Sequence, residues 1–199
     1  MVQPKFDDSA DRTLELVSLS RANSFDGTMS RTRTKREQLK RHVRIIAATH
    51  FLPFSVHVSE STPQEPYEWT VARRGGHTAM YAGIRSLSDQ PNMDCTKVGW
   101  IGSYVDAKGS EHPCDGLSEE SKRSMCRTLL EVDAVPVFID EELAYKHYEG
   151  FSKQVLWPLL HYMAWNDAQR PEPTWWASYQ KVNELFAKVV SSVYVEGDI

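Results

Sequence analysis

The feature that most constrains the fold is an alternation of short β-branched runs with stretches of helical periodicity. Arg44 to Thr49 is a β-branched and alanine-rich run that ends at Leu52-Pro53, which predicts a buried strand. Val98 to Ile101 and Ala134 to Ile139 predict two more strands, and Val56 to Val58 predicts a continuation of the first strand after a bend. Strands that alternate with helices imply a parallel sheet covered on both faces, so the predicted fold class is α/β.

The helices between these strands carry start signals of their own. Gly75-Gly76 opens one helical stretch, Ser118 is the expected N-cap of the next, and Ser121 is an alternative start for that helix. Asp140 is the expected cap of the helix after the third strand, and a last long helix is predicted from Thr174 to Val195. One face of the last helix is apolar and consists of Trp175, Tyr179, Val182, Phe186, Val189, Val190 and Val193.

Composition limits the class of protein. The 199 residues, 41% of them hydrophobic, suffice for one domain with a real core. A mean hydropathy of −0.48 without a long apolar run predicts no membrane span, and a net charge of −4 gives no reason to expect nucleic acid or anionic lipid as a partner. Three cysteines without paired spacing, in a chain that shows no signal peptide, predict reduced thiols and a cytoplasmic protein. His112-Pro-Cys114 is not followed by the Cys-x-x-Cys of a zinc deaminase, so we expect no metal site there. We expect no cofactor either.

The first 41 residues differ from the rest in composition. They are rich in Ser, Thr, Arg and Asp and lack a sustained apolar face, which predicts a disordered, basic and Ser-rich arm over residues 1–41 and a folded domain over residues 42–199. A solvated tail is the favoured interpretation, and a nucleic-acid-binding arm is the alternative. The basic run consists of Arg31, Arg33, Lys35, Arg36, Lys40, Arg41 and Arg44.

A ligand crevice is expected at one edge of the sheet. Open parallel sheets bind ligands beyond the carboxyl ends of their strands. This rule places Thr49 to Phe54 in the same crevice as Gly75-Gly76. Glycines there let backbone N–H groups approach a phosphate, and a helix N-terminus adds favourable partial positive charge. A simple turn is the alternative explanation for the glycine pair.

The segment from Tyr148 to Tyr162 contains an order of aromatic residues that neither helical nor strand periodicity produces. It resembles the Tyr-x-x-Phe-x-x-x-x-Leu-Trp-Pro-x-Phe-His-Tyr block of the trehalose-6-phosphate synthase family. Members of that family are retaining glycosyltransferases that join UDP-glucose to glucose-6-phosphate. Leu160 replaces the usual Phe, which is a conservative change.

Further blocks follow in the family's order. Arg44 to Phe54 resembles its first strand and Ser-Asn-Arg-Leu-Pro, and Gly99 to Gly102 resembles Gly-Trp-x-Gly. Gly75-Gly76-His77 resembles Gly-Gly-Leu, which implies that these three residues form the nucleotide-sugar loop. Trp176 to Ala187 resembles the helix Trp-x-x-Tyr-x-x-Val-Asn-x-x-Phe-Ala, and Gly197-Asp198-Ile199 resembles the segment that follows it. The resemblance implies a Rossmann-like parallel sheet that forms an incomplete N-terminal half of a GT-B glycosyltransferase.

The resemblance also implies a degenerate sugar-phosphate crevice. The family holds the acceptor phosphate with an arginine, a tyrosine and a tryptophan, and Tyr148 and Trp157 match the last two. Trp100 matches the family's sugar-facing tryptophan. The arginine position is Phe51 and the preceding asparagine position is His50, and a phenyl ring supplies none of the charge of a guanidinium. Retention of the three aromatic residues for core packing is the favoured explanation, and retained sugar binding is the alternative.

Fungal relatives of the synthase, namely the trehalose-6-phosphate phosphatase subunit and the large regulatory subunits of the synthase complex, keep the module and degrade its acceptor site. The resemblance to them implies a non-catalytic synthase-like module in trehalose biosynthesis, acting as a scaffold or regulator, with no activity expected from this chain alone. Its implied partners are other subunits of the complex and, weakly, glucose-6-phosphate or UDP-glucose, with no nucleic acid and no membrane. The alternative is a fragment of an active glucosyltransferase that needs its C-terminal half.

Overall fold

The computed structural model describes residues 42–59, 65–76, 78–163 and 172–199. The predicted arm over residues 1–41 and the loop residue His77 lie outside these ranges. Within them the strands are β1 Val43–Phe51, β2 Phe54–Val58, β3 Trp69–Arg73, β4 Met93–Trp100, β5 Ser103–Val105, β6 Glu111–Pro113 and β7 Ala134–Val137. The helices are α1 Thr78–Ser88, α2 Glu119–Leu130, α3 Glu141–Tyr145, α4 Trp157–Leu160 and α5 Thr174–Val193, and a π-helical segment, Lys146–Leu156, joins α3 to α4.

The predicted parallel sheet is present. Its strand order is β1-β4-β7, and both neighbouring pairs run parallel. The middle strand β4 begins at Met93, five residues before the predicted start, and β7 ends at Val137, two residues before the predicted end. The α/β class with a Rossmann-like parallel sheet is therefore confirmed.

A second sheet was not predicted. Its order is β3-β2-β5-β6, with β2 parallel to β5 and antiparallel to β3, and with β6 antiparallel to β5. Val56 to Val58, which we expected to continue β1, belongs instead to this sheet. The buried Leu52-Pro53 pair separates the two strands, and Arg74 donates its backbone N–H to Pro53 O at 3.0 Å. The chain therefore turns into a new sheet where we expected only a bend.

Helices cover both faces of the parallel sheet. Val98 packs in a cluster with α5, whereas Cys95 of the same strand packs with Tyr81 and Ile84 of α1. Side chains separated by an odd number of strand positions point to opposite faces, so α1 and α5 lie on opposite sides of β4. Helix α2 packs on β7 and β3 and so connects the two sheets. None of the helices in the described ranges has the length and apolar character needed to cross a membrane.

Local helix signals were accurate. The side chain of Ser118 accepts a hydrogen bond from Ser121 N, and that of Asp140 accepts one from Leu143 N, so both predicted N-caps are confirmed. Helix α5 ends at Val193, two residues before the predicted end.

The segment Gly197-Asp198-Ile199 docks on the outer edge of β1. Ile199 N donates to Arg44 O at 3.0 Å, and Ile46 N donates to Ile199 O at 2.9 Å. The guanidinium of Arg44 reaches Asp198 Oδ2 at 3.3 Å, and the Asp198 side chain is only 4% exposed. This ion pair and the two backbone bonds hold the segment against the sheet.

Candidate functional site

A cavity of about 490 Å³ opens beyond the carboxyl ends of β1, β4 and β7. The structure brings four of the sequence-predicted site residues together there. Its lining consists of His50, Phe51, Trp100, Glu141, Glu142, Ala144, Tyr145, Tyr148 and Glu149. We call this cavity the crevice.

A β-bulge explains how two consecutive residues of β1 both line the crevice. Thr49 pairs with Gly99 and Phe51 pairs with Trp100, so His50 is an extra residue in the ladder. Consecutive residues of a regular strand point to opposite faces, and a bulge removes that restriction. Thr49 Oγ1 donates to Phe51 O at 2.7 Å and stabilises the bulge from within.

Gly99 is required by this bulge. A Cβ atom at Gly99 would lie 2.8 Å from both Leu52 N and Thr49 O, and both of these are backbone atoms. No side-chain rotation relieves such a contact. The first glycine of the Gly-Trp-x-Gly motif therefore fits the bulged end of β1 against β4.

Trp100 and Phe51 form the wall of the crevice on the side of the strands. Their rings stack with centroids 5.0 Å apart and an interplanar angle of 22°. The Trp100 Nε1–H group donates to Ile139 O at 3.1 Å and anchors the indole to the residues after β7. The Phe51 ring also lies close to Gly102, since a Cβ there would be 3.3 Å from Phe51 Cε1. Trp100 thus contributes to packing and also lines the crevice. Core packing and a position facing the sugar, the two explanations for this tryptophan, therefore do not exclude one another.

Tyr148 faces the crevice from the π-helical segment. Its ring stacks on His50 with centroids 4.2 Å apart, and Lys153 Nζ lies 4.7 Å from the Tyr148 ring centroid. The neighbouring His147 stacks on Tyr179 of α5 at 5.2 Å, and burial lowers the pKa of His147. Helical hydrogen bonding of the π type is rare in proteins and is often found at functional sites.

Gly150 lets the π-helical segment approach α5. A Cβ atom at this position would lie 2.9 Å from Trp175 Cδ2 and 3.0 Å from Trp175 Cε2. The indole of Trp175 therefore lies directly against the backbone of Gly150, which explains the glycine after Tyr148-Glu149 in structural terms.

Trp157 is not among the residues that line the crevice. It lies on α4, is 56% exposed and stacks on His161 with ring centroids 3.7 Å apart. A side chain this exposed is not part of the core, so the packing explanation does not apply to Trp157 in this structure.

The predicted glycine loop follows β3. Gly75 and Gly76 are exposed, and a Cβ atom added at either would meet no heavy atom within 4 Å. Gly76 has φ of +77°, a conformation that favours glycine. Packing therefore does not demand Gly75, and an open backbone here is compatible both with a turn and with close approach of a ligand.

Sequence reasoning missed Arg74, which directly precedes these glycines. Its guanidinium carbon lies 4.9 Å from the Phe51 ring centroid, Nε donates to Phe54 O at 3.2 Å, and Nη2 donates to Ile101 O. Burial lowers the pKa of Arg74. Arg74 lines a second cavity of about 260 Å³, which shares Phe51, Trp100 and Glu141 with the crevice. We call it the arginine cavity.

Sequence reasoning also missed the carboxylates on the helical side of the crevice. Glu142 accepts a hydrogen bond from Lys146 Nζ at 2.6 Å, which lowers the pKa of that carboxyl group, and Glu149 pairs with Lys153 Nζ at 2.7 Å. Glu141 follows β7 by only a few residues. Its position beyond the carboxyl end of the third predicted strand is the sequence signal that points to Glu141, because open parallel sheets bind ligands there.

Burial keeps two of the three cysteines from offering reactive thiolates. Cys95, Cys114 and Cys126 are buried and unbonded to one another, and burial raises the pKa of Cys114 and of Cys126 to about 12. Among the residues that the structure describes, no group of three or more His, Cys, Asp or Glu side chains has the arrangement of a metal site.

Comparison with known proteins confirms the family that the sequence blocks predicted. Residues 43–199 match the model of glycosyltransferase family 20. The chain is 31% identical over 167 residues to the UDP-forming alpha,alpha-trehalose-phosphate synthase of Botryotinia fuckeliana, with 82% of this chain and 27% of that protein covered. It is 32% identical over 156 residues to the corresponding synthase of Emericella nidulans, covering 78% of this chain and 27% of that protein.

A plant relative extends the comparison beyond fungi. The UDP-forming alpha,alpha-trehalose-phosphate synthase 1 of Arabidopsis thaliana is 33% identical over 121 residues, with 58% of this chain and 12% of that protein covered. The chain therefore spans about a quarter or less of the length of these relatives. Because the family model matches residues 43–199, which is more than half of the chain, the chain belongs to glycosyltransferase family 20.

Proposed function

We propose that this chain is a non-catalytic, synthase-like module in trehalose biosynthesis, acting as a scaffold or regulator within a synthase complex. Its relatives are UDP-forming trehalose-phosphate synthases, which supports the pathway. The resemblance to fungal phosphatase and regulatory subunits supports the role and suggests other complex subunits as partners.

Phe51 is the observation that carries this proposal. Its ring fills the end of β1 between the Trp100 indole and the Gly102 backbone. In the resembled family this position holds the arginine of the acceptor phosphate, and a charged hydrogen bond of that kind contributes about 1.5–3 kcal/mol. Without that arginine, β1 does not offer the bidentate contact that would hold glucose-6-phosphate for transfer.

A chimera tests the proposal. Residues 43–199 replace the matching segment of the Emericella nidulans synthase, and trehalose-6-phosphate formation from UDP-glucose and glucose-6-phosphate is measured. We expect no product from a chimera that circular dichroism shows to be folded. Turnover at a rate comparable to that of the parent synthase would overturn the proposal.

A reciprocal variant covers the case in which the chimera does not fold. In the Emericella nidulans synthase, the residue aligned with Phe51 is replaced by phenylalanine. We expect kcat/KM to fall roughly ten- to a hundredfold, because a charged contact to the acceptor is lost. Unchanged kinetics would contradict the argument from Phe51.

A second candidate function is an active glucosyltransferase that uses this segment as part of its acceptor site. The position of Trp100 and Tyr148 in one crevice favours it, because aromatic faces suit sugar rings. Turnover by the chimera would establish this function and exclude the non-catalytic module.

A further inference from the structure

We propose that Arg74 forms an anion subsite in the arginine cavity, so that a sugar bearing a phosphate monoester binds with its phosphate at Arg74 and its ring in the adjoining crevice. The subsite lies on the loop after β3 and not on β1. Such a subsite would make the proposed module responsive to a ligand. Only the identity of the sugar rests on the proposed function.

The guanidinium of Arg74 is held in a fixed direction. Two of its N–H groups donate to the carbonyl oxygens of Phe54 and Ile101, and its plane lies near the Phe51 ring. An arginine has five N–H donors, so three remain for a ligand. Backbone carbonyls orient the group without neutralising its charge, and such preorganisation lowers the entropic cost of binding an anion.

The charge of Arg74 is half-buried and not balanced by an ion pair. Across residues 42–59, 65–76, 78–163 and 172–199, no carboxylate forms an ion pair with this guanidinium; the ion pairs there involve other residues. Burial of an unpaired cation is unfavourable, and a bound oxyanion would relieve that cost. The arginine cavity offers the space for one beside Arg74.

Two carboxylates oppose the anion and provide the sharpest test. Glu111 and Glu141 line the arginine cavity together with Arg74. Glu111 accepts a hydrogen bond from Ser103 Oγ at 3.2 Å. Glu141 is exposed at the start of α3, and the N-cap of that helix is Asp140. Glu141 can therefore be changed without removing a contact that holds the fold.

The two cavities adjoin, since Phe51, Trp100 and Glu141 line both of them. The proposed ligand extends past these shared residues, with its phosphate at Arg74 and its sugar ring towards Tyr148. Aromatic walls accept the apolar face of a sugar ring, whereas the arginine selects the charged group. The combination fits a phosphorylated sugar better than a neutral one.

The experiment measures binding to the full chain by calorimetric titration with glucose-6-phosphate, inorganic phosphate and glucose. We expect glucose-6-phosphate to bind more tightly than glucose, and Arg74→Met to weaken glucose-6-phosphate binding roughly ten- to a hundredfold. Glu141→Gln should tighten it severalfold, because a like charge leaves the cavity. Inorganic phosphate should bind to the parent and not to Arg74→Met.

Two results of these titrations would overturn the proposed anion subsite. Equal affinity for glucose and glucose-6-phosphate, or a folded Arg74→Met variant that binds as the parent does, would exclude Arg74 as the anion ligand. Since Arg74 also bonds two carbonyl groups, its variant must be shown to be folded by thermal denaturation. If it is unfolded, Glu141→Gln decides, and an unchanged affinity there overturns the proposal. Loss of the subsite leaves the absence of turnover untouched, so the two proposals fail separately.

Discussion

The crevice has two walls that are held together in different ways. The strand wall, formed by His50, Phe51 and Trp100, is fixed by contacts between backbones, because the bulge at His50 fits against Gly99 of β4. The helical wall, formed by α3 and the π-helical segment, is fixed by side chains, namely ring stacking on α5 and exposed ion pairs. Backbone contacts cannot adjust, whereas stacked rings can, because side chains change rotamer. The exposed ion pairs of the helical wall contribute little to stability, because salt bridges at the surface are weak. The strand wall should therefore determine stability more strongly than the helical wall does.

Gly99→Ala, in the strand that supports the strand wall, should lower the free energy of unfolding more than any substitution in the helical wall. The new Cβ would clash with the backbone of Thr49 and Leu52 at 2.8 Å, and overpacking against atoms that cannot move costs about 3 kcal/mol or more of the free energy of unfolding. Urea denaturation measures it. Gly83→Ala in α1 is the matched control, since its Cβ meets nothing within 4 Å and the change should raise stability by about 0.5–1 kcal/mol. A cost below about 1 kcal/mol for Gly99→Ala would show that the bulge can shift.

Gly150→Ala should have an intermediate effect. Its Cβ would meet the indole of Trp175 at 2.9–3.1 Å, and because a side chain can move, we expect a loss of about 1–2 kcal/mol by urea denaturation. In the double variant Gly150→Ala with Trp175→Leu the clash is relieved, so the loss in the free energy of unfolding should be smaller than the sum of the two single losses. A double-mutant cycle measures this difference as a coupling energy. Strict additivity would mean that Trp175 does not constrain the π-helical segment.

The pH dependence associated with His147 should be the smallest effect. Burial lowers its pKa from the ordinary 6.5, so the unfolded chain binds the proton more readily than the folded one. The contribution of neutral His147 to the free energy of unfolding is therefore fully present above pH 6.5. It is lost as the pH falls below 6.5 towards the pKa of His147 in the folded state. The rings that face His147 are His50 and Tyr179, and His50 is itself titratable.

The measurement compares the free energy of unfolding of the parent and of His147→Phe between pH 7.5 and pH 5. The parent should lose more stability on acidification than the variant, because phenylalanine keeps a ring in the stack and removes the titration. Identical pH profiles would show that His147 does not carry this part of the acid sensitivity.

Several elements could be predicted because their signals are local. The caps Ser118 and Asp140 each bond a backbone N–H three residues on, so sequence spacing suffices to find them. The parallel sheet followed from the alternation of strand and helix patterns, which fixes the class without fixing which strands are neighbours. The family blocks likewise placed Trp100 and Tyr148 in one region of the fold, and the structure has both lining the crevice.

Other features depend on contacts that sequence spacing does not encode. The second sheet required β2 to pair with β3 and β5 and not to extend β1, a choice made by strand register and by the buried Leu52-Pro53 turn. The bulge at His50 arises from the pairing of β1 with β4, and it alone brings His50 and Phe51 to the same cavity.

The fold class, the caps Ser118 and Asp140 and the replacement of the family's arginine by Phe51 can all be read from the amino-acid sequence. The cation that lies beside the Phe51 ring cannot. Packing between elements places it there, because the loop after β3 returns to the end of β1 and brings the Arg74 guanidinium to 4.9 Å from the Phe51 ring centroid. Packing also leaves Trp157 56% exposed on α4 and outside the set of residues that line the crevice. Both results depend on how separate elements pack, which no spacing along the chain specifies.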